Sequence, residues 1–147
     1  MNIDNLCPCG SEKESSNCCN PLLNGIKDAN TAEELMRSRY TAFTRADINY
    51  LVRTQLPSAG LRKEKERKKL KKWAQSVEWL YLSVMKTIDG GEDDETGKVI
   101  FRAFYIQNEE YENIYEESLF EKIEGKWFYI DGIDLNMENE EKLFAED

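Results

Sequence analysis

The sequence predicts an α+β domain in which helices precede a curved, antiparallel, four-stranded sheet, with a small cysteine-rich segment before them. Apolar residues recur at helical spacing between residues 31 and 75. From residue 77 to residue 133, four runs rich in β-branched and aromatic residues are separated by polar turns. All four cysteines lie within the first 19 residues. Because the helices come first and the strands follow as a meander, we expect the sheet to curve around one helix.

The first helix of the main domain is predicted to begin at Thr31. The spacing from Thr31 to Glu34 is that of a capping box, in which the two ends of the first turn satisfy each other's hydrogen bonds. Four apolar residues then fall on one face of the helix: Leu35, Met36, Tyr40 and Phe43. A second helix is predicted from Asp47 to Thr54, with Ile48 and Leu51 facing inward, and the chain breaks at 57–60.

A third helix, predicted from Arg62 to Gln75, is strongly basic. Residues 61–80 carry 8 basic and 3 acidic side chains. Such a stretch could contact RNA or an acidic partner, or it could be the solvated face of an amphipathic helix. The second interpretation is preferred, because the pattern turns its one nearby aromatic residue, Trp73, inward.

Four strands are predicted, at residues 77–88, 98–107, 111–123 and 127–133. Glu124-Gly125 is typical of a tight hairpin between the last two strands. The acidic run 92–95 reads as a solvated loop, and residues 136–147 as an acidic C-terminal tail, either a short helix or a frayed end.

The composition limits the classes of function. The chain has 147 residues, 40% of them hydrophobic and 11% aromatic, which is enough for a packed core. A net charge of −9 disfavours nonspecific binding to nucleic acids or membranes. Residues 1–5 lack the basic and apolar regions of a secretion signal. We therefore expect a cytoplasmic protein with neither a nucleic-acid nor a membrane partner.

The cysteines form the pattern C-x-C-x8-C-C, with no histidine in the chain. Two close pairs joined by a loop suit one tetrahedral zinc ion, held by Cys7, Cys9, Cys18 and Cys19. Two disulfides, or four cysteines without a common role, are the alternatives, and disulfides would require an oxidising compartment. Zinc is the preferred interpretation. Four thiolates leave no position for water, so the predicted site is structural.

The segment also resembles a known motif. Cys7-Pro8-Cys9-Gly10-Ser11 and Cys18-Cys19 are similar to the SEC-C motif, the zinc knuckle named after the SecA translocation ATPase. In SecA this knuckle contacts a chaperone partner and the ribosome. The resemblance implies a zinc knuckle over residues 1–24 that docks on a protein partner, with no enzymatic implication.

A wider resemblance covers most of the chain. The stretches 31–43, 50–51, 97–101, 116–120 and 125–132 look like those of the YchJ family of uncharacterised bacterial proteins. This implies a cystatin-like, nuclear-transport-factor-2-like (NTF2-like) domain over residues 25–135, in which helices and a bent sheet form a cone. Some relatives end in a second SEC-C motif, where this chain has its acidic tail. The resemblance carries over no established activity.

Inside such a cone, one charged residue stands out. At about 100° per residue, Arg39 falls near the centre of the apolar face of the first helix, and Arg37 falls on the opposite, solvent side. A guanidinium on an apolar face needs polar partners. Alternation along the strands offers Glu116 or Asp131 as its ion-pair partner. Three further polar residues are expected nearby: Tyr105, Ser118 and Tyr129.

Two functions remain open at this point. The preferred one is a protein-interaction module that docks through the zinc knuckle, with the Arg39 network serving as a buried ion pair. The alternative is a small-molecule binding protein or enzyme that uses the pocket of the cone. No catalytic residue is assigned, and an enzyme is the less favoured reading because the chain has no histidine.

Overall fold

The computed structural model describes residues 5–136 and confirms the predicted fold class. Its helices are α1 Asn20–Leu23, α2 Ala32–Thr44, α3 Ile48–Arg53 and α4 Glu64–Ser76, with short 3₁₀ helices at Ser15–Asn17 and Pro57–Ala59. Its strands are β1 Glu78–Asp89, β2 Thr96–Gln107, β3 Glu110–Ile123 and β4 Lys126–Asp134. Within this part of the chain no helix is both long and apolar enough to cross a membrane. The predicted C-terminal tail lies outside the described residues, apart from Asn136.

Helix α2 begins where the sequence predicts. The Thr31 side chain accepts a hydrogen bond from the Glu34 N–H at 3.1 Å, and the Glu34 side chain accepts one from the Asn30 N–H at 3.3 Å. The Glu34 N–H, one of the four at the start of the helix that lack an intrahelical acceptor, thus gains a partner, and the second bond ties the residue before the cap to the first turn. The short helix α1 was not predicted, because four residues are too few to show a helical period.

The sheet is an antiparallel meander in the order β1-β2-β3-β4. Its two edge strands are bulged: β1 has one extra residue at Leu80 and another at Met85, and β4 has one at Ile130. Bulges bend a strand and increase its twist, so the two edges curve toward α2. The face of the sheet that covers α2 is called the inner face below.

Helix α2 lies between two apolar clusters. The first cluster joins α2 to the inner face and includes Leu35, Met36, Tyr40, Val99, Phe101, Phe120 and Trp127. The second joins the opposite side of α2 to α1, α3 and the cysteine segment and includes Cys7, Cys9, Cys19, Leu22, Ala42 and Leu51. The cysteine segment is therefore part of the packed interior and is not a free-standing appendage.

Helix α4 covers one end of the sheet. Trp73 faces inward, as predicted, with its ring centroid 5.5 Å from those of Trp79 and Tyr105. Most basic side chains of this helix are exposed. The pair Lys68–Glu64, at 3.5 Å, is an exposed contact between residues one turn apart, a type that contributes little to stability.

Candidate functional site

The four cysteine sulfurs form a compact cluster. The Sγ atoms all lie within 4.8 Å of one another, at 3.5 Å between Cys9 and Cys18 and 3.9 Å between Cys18 and Cys19. All four are free thiols. A tetrahedral site with zinc–sulfur bonds of about 2.3 Å has sulfur–sulfur edges of about 3.8 Å. The cluster therefore has the ligand number and the spacing to bind a metal ion.

Backbone hydrogen bonds shape the loop that carries the first two cysteines. The Cys7 N–H donates to the Lys13 carbonyl at 2.8 Å, which closes the loop. Gly10 turns the chain with a φ of +81°, a conformation that glycine adopts without steric cost. The Gly10 N–H donates to the Cys7 carbonyl at 3.3 Å. The hydroxyl of Ser11 lies 3.1 Å from the Sγ of Cys18.

The four thiols of the cluster differ in how readily they ionise. Hydrogen bonds from the Cys19 and Cys9 thiols lower the pKa of Cys7, and the same contact with Cys7 raises the pKa of Cys19. Burial raises the pKa of Cys18 to about 11. Without a cation the thiols share protons unequally, since four adjacent thiolates repel one another. A metal ion removes that repulsion and allows all four to ionise.

Arg37 ties the cysteine segment to α2. Its Nη1 donates to the Cys9 carbonyl at 2.6 Å, and its Nε donates to Glu33 Oε2 at 2.9 Å. Only 23% of the Arg37 side chain is exposed. The prediction that Arg37 faces solvent is wrong, because the cysteine segment covers that side of α2.

A second clamp holds α1. Arg53 Nη2 donates to the Leu22 and Leu23 carbonyls, at 3.1 and 2.9 Å, while its guanidinium lies 4.7 Å from the centroid of the Tyr50 ring. These carbonyls end α1 and have few partners within so short a helix. Both clamps thus come from arginines of the main domain.

The cone contains a cavity of about 390 Å³. It lies between α2, the segment after α3, α4 and the inner face of the sheet. Its wall is mainly apolar and includes Phe43, Leu61, Leu70, Trp79, Phe101, Ile114 and Phe120. Four of the six residues predicted for this network also line it: Arg39, Glu116, Ser118 and Tyr129. The two others, Tyr105 and Asp131, are not part of the lining.

Arg39 is buried, with 7% of its surface exposed, but it has no carboxylate partner among residues 5–136. Its Nη1 donates to the Leu51 carbonyl at 3.0 Å and to Thr54 Oγ1 at 2.9 Å, and its Nη2 donates to Gln55 Oε1 at 2.8 Å. Burial lowers the pKa of Arg39 to about 10, so the guanidinium remains charged at neutral pH. The predicted ion pair with Glu116 or Asp131 is therefore wrong.

The residues after α3 supply these partners because they join the edge of the sheet. The Leu56 N–H donates to the Tyr129 carbonyl at 3.1 Å, and the Tyr129 N–H donates to the Thr54 carbonyl at 2.9 Å. This places Gln55 beside β4, with Arg39 4.5 Å from the centroid of the Tyr129 ring. No sequence signal pointed to Thr54 or Gln55 as partners, because they lie where the second predicted helix ends and polar residues there show no periodicity.

Glu116 is the centre of a separate polar group. Its Oε2 accepts hydrogen bonds from Ser118 Oγ at 2.5 Å and from the Tyr129 hydroxyl at 3.2 Å. Burial and the Glu116 carboxylate both raise the pKa of Tyr129, so its hydroxyl keeps its proton. Gly132 leaves the space for this contact: a Cβ there would lie 2.5 Å from Glu116 Oε2.

Asp131 lies on the outer face because of the bulge in β4. Tyr129 pairs with Phe120 and Asp131 pairs with Leu119, so the extra residue Ile130 reverses the alternation. The exposed Asp131 carboxylate accepts a hydrogen bond from the Gly132 N–H at 2.8 Å. Its predicted place in the buried network is therefore wrong.

Tyr105 does face inward, but at the end of the sheet that α4 covers. Its ring contacts Trp73 and Trp79, with centroids 5.5 and 5.6 Å away. It is part of a cluster of these three rings, of which Trp79 alone lines the cavity. One residue that lines the cavity, Glu66, was not predicted, because it occurs in the basic run of α4, where its Oε1 accepts a hydrogen bond from the Lys63 N–H.

The fold and the cysteine cluster together define a class of protein: an NTF2-like cone that carries a SEC-C type cysteine site. The family described as "YchJ, middle NTF2-like domain" matches residues 31–132, and the chain belongs to this family.

Individual relatives agree with this assignment. The chain is 42% identical over 130 residues to a UPF0225 protein of Geobacter sulfurreducens, covering 88% of this chain and 80% of that one. It is also 42% identical over 130 residues to the UPF0225 protein YchJ of Shigella dysenteriae, covering 88% and 84%. The solution structure of a SEC-C motif containing protein from Rhodopseudomonas palustris superposes with a TM-score of 0.77 at 31% identity, covering 92% of this chain and all of that one.

Proposed function

We propose that this protein binds a small, mainly apolar molecule in the cone cavity, and that its metal site serves as a structural clamp. The observation that carries the proposal is the cavity itself. Its volume of about 390 Å³ falls within the range of about 300–1,000 Å³ that is usual for ligand sites. Such sites combine an apolar wall with a few convergent polar groups, and Glu116, Ser118 and Tyr129 supply those groups here.

A purely structural role accounts less well for this arrangement. Protein interiors are close-packed, with few voids larger than a water molecule. A buried ion pair between Arg39 and Glu116 would have fixed the helix on the sheet, but the two side chains have separate partners. The Glu116 carboxylate therefore remains available to a ligand that enters the cavity.

The metal ion is proposed to be a single zinc, bound by the four cysteines. Four soft thiolates in a tetrahedron favour zinc over harder divalent ions, which prefer oxygen ligands. With no position left for water or a substrate, the ion would hold the loop and α1 against α2. Elemental analysis of the purified protein tests this. One zinc per chain is expected, and a different metal or none would contradict it.

Ligand binding can be measured with N-phenyl-1-naphthylamine, an uncharged probe whose fluorescence rises in apolar sites. Replacement of the cavity residue Ala103 by leucine should fill part of the space and reduce binding at least about tenfold, because well-packed sites do not accept extra atoms without strain. Ser83→Leu is the matched control, since Ser83 pairs with Arg102 on the outer face. Equal probe binding by the two variants, with both folded by circular dichroism, would refute the proposal.

Docking of a protein partner through the cysteine segment is a second candidate. It is favoured by a polar groove beside the segment, of about 480 Å³. Lys13 and Lys27 line this groove together with Glu33 and Glu34, so both signs of charge are available to a partner. Lys13→Glu combined with Lys27→Glu reverses part of that pattern without changing a cysteine. If the partners that co-purify with the wild-type chain are retained by this variant, this candidate is wrong.

A further inference from the structure

The hydrogen-bonding groups of the cavity show what kind of molecule would fit it. As a carboxylate, Glu116 accepts two hydrogen bonds at Oε2, from Ser118 Oγ and from the Tyr129 hydroxyl. No group among residues 5–136 donates to its other oxygen, Oε1. Each hydroxyl has only one proton to give, so the remaining lone pairs of Ser118 and Tyr129 can only accept. This part of the cavity therefore presents three acceptors and no free donor.

The one cation in the lining uses three of its five N–H donors away from these acceptors. Arg39 directs its hydrogen bonds to the end of α3 and to the segment after it, at Leu51, Thr54 and Gln55. Its guanidinium lies against the ring of Tyr129. Gln55 is also satisfied, since its Nε2 donates to the Gly60 carbonyl at 3.0 Å. The two remaining Arg39 N–H groups, one on Nε and one on Nη2, have no partner among residues 5–136, so a carboxylate is the ligand class from which an amine must be distinguished.

The net charge of the lining agrees with this. The ionisable side chains with formal charges at neutral pH are Arg39, Glu66 and Glu116, which sum to one negative charge. Aromatic rings supply much of the remaining wall, among them Trp79, Phe101 and Phe120. The negative faces of such rings attract cations. Charge, hydrogen bonding and aromatic surface thus favour the same kind of ligand.

We infer that the ligand of the cone cavity is an organic amine: an apolar body that carries a protonated amino group, bound at Glu116 Oε1. An ammonium group has three N–H donors and no acceptor, which matches three acceptors grouped together. The apolar body would occupy the space between α2 and the inner face of the sheet. This inference rests on the proposed function, since it names the chemical class of ligand for the same cavity.

The test uses four probes that share a phenyl group and differ in the polar end: 2-phenylethylamine, 2-phenylethanol, 3-phenylpropionate and ethylbenzene. Each is titrated at pH 7 and fixed ionic strength into the metal-loaded full chain, and displacement of N-phenyl-1-naphthylamine is recorded. A charge-assisted hydrogen bond is about twice as strong as a neutral one. We therefore expect the amine to bind at least about tenfold more tightly than the carboxylate and severalfold more tightly than the alcohol.

The variant Glu116→Gln keeps the size of the side chain and removes its charge. It should reduce the preference for the amine over the alcohol to less than about twofold. Glu117→Gln, on the neighbouring residue of β3 that faces the other side of the sheet, is the matched control and should retain the preference. Retention of the preference in Glu116→Gln would overturn the inference, as would carboxylate binding equal to that of the amine in the wild type.

Failure of the inference can be told apart from failure of the proposed function. If ethylbenzene or 3-phenylpropionate binds best, and Ala103→Leu abolishes that binding, the cavity is a ligand site and only the ligand class is wrong. If none of the four probes displaces the fluorophore, or if Ala103→Leu binds them as the wild type does, both the function and the inference are wrong.

Discussion

Replacement of Gly132 by alanine adds one methyl group at the point where the Glu116 carboxylate meets the Tyr129 hydroxyl. The new Cβ would lie 2.5 Å from Glu116 Oε2 and 2.5 Å from the Tyr129 hydroxyl oxygen, and contacts below 3.0 Å are essentially never seen for a real Cβ. One of the two side chains must therefore move. Gly132 does not have a left-handed φ, so the effect comes from this contact and not from backbone strain.

The magnitude follows from two opposing terms. Overpacking of a buried position costs about 1–3 kcal/mol. Glycine-to-alanine replacement at a compatible backbone position gains about 0.4–1 kcal/mol by restricting the unfolded chain. We expect Gly132→Ala to lower the free energy of unfolding by about 1–2 kcal/mol and to remove the preference of the cavity for 2-phenylethylamine.

Urea denaturation and probe displacement measure the two effects. Gly91→Ala is the matched control, because its Cβ would meet only Asp94 Oδ2, at an ordinary distance of 3.4 Å. That variant should be as stable as the wild type or slightly more stable. If Gly132→Ala matches Gly91→Ala in stability and keeps the amine preference, the geometry assigned to the Glu116 site is wrong.

Three further predictions concern arginines and a tyrosine of α2. Arg39→Met removes the donor of the Gln55 amide oxygen and leaves the Leu51 carbonyl with only the 3.4 Å contact from Thr54 Oγ1. It should lower the free energy of unfolding in urea by about 2–4 kcal/mol. A change below about 0.5 kcal/mol would contradict the assigned contacts. Arg37→Ala removes the hydrogen bond to the Cys9 carbonyl and should speed the loss of metal to a chelator severalfold. Lys68→Ala breaks only an exposed ion pair and should not change that rate. Equal rates of metal loss in the two variants would show that Arg37 does not hold the cysteine loop. Burial raises the pKa of Tyr40 to about 12. Above pH 10 the unfolded chain therefore loses a proton that the folded chain keeps, so the free energy of unfolding falls as the pH rises from 10 to 12. It should fall less steeply in Tyr40→Phe. If the free energy of unfolding of the two proteins depends on pH in the same way, Tyr40 does not contribute.

The sequence predicted α2, α3, α4 and the four strands well because each of these elements has a strong local signal. The hydroxyl of Thr31 and the carboxylate of Glu34 mark the start of α2, and the predicted strands begin and end within two residues of those observed. The signal for the cysteines of the candidate metal site was equally local, because the two close pairs and the spacing between them are visible in the sequence. Periodicity also placed Arg39 on the buried face of its helix.

The partners of Arg39 could not be predicted in the same way. They lie in the segment after α3, whose position depends on its hydrogen bonds with the edge of β4 at Tyr129. A bulge at Ile130 then reversed the alternation that had placed Asp131 on the inner face. Neither feature has a period, and both depend on contacts between distant parts of the chain.

The burial of Arg37 also could not be predicted from the sequence. Helical projection divides a helix into an apolar and a polar face, and it assigns the polar face to solvent. Here the polar face is covered by the cysteine segment, which accepts a hydrogen bond from Arg37 at the Cys9 carbonyl. A helix with two covered sides cannot be recognised from hydrophobicity alone when the second contact is polar.

Whether the cone cavity is the ligand site is tested most directly by a chemical-shift map of the backbone amides of the metal-loaded chain during titration with 2-phenylethylamine. We expect saturable shifts to concentrate on residues that line the cone cavity, in α2, in the segment 55–61 and on the inner face around Glu116 and Ser118. The amides of the cysteine loop, 10–18, should remain unchanged. Shifts confined to that loop, or scattered over the surface without saturation, would contradict the claim that the cavity is the working site of this protein.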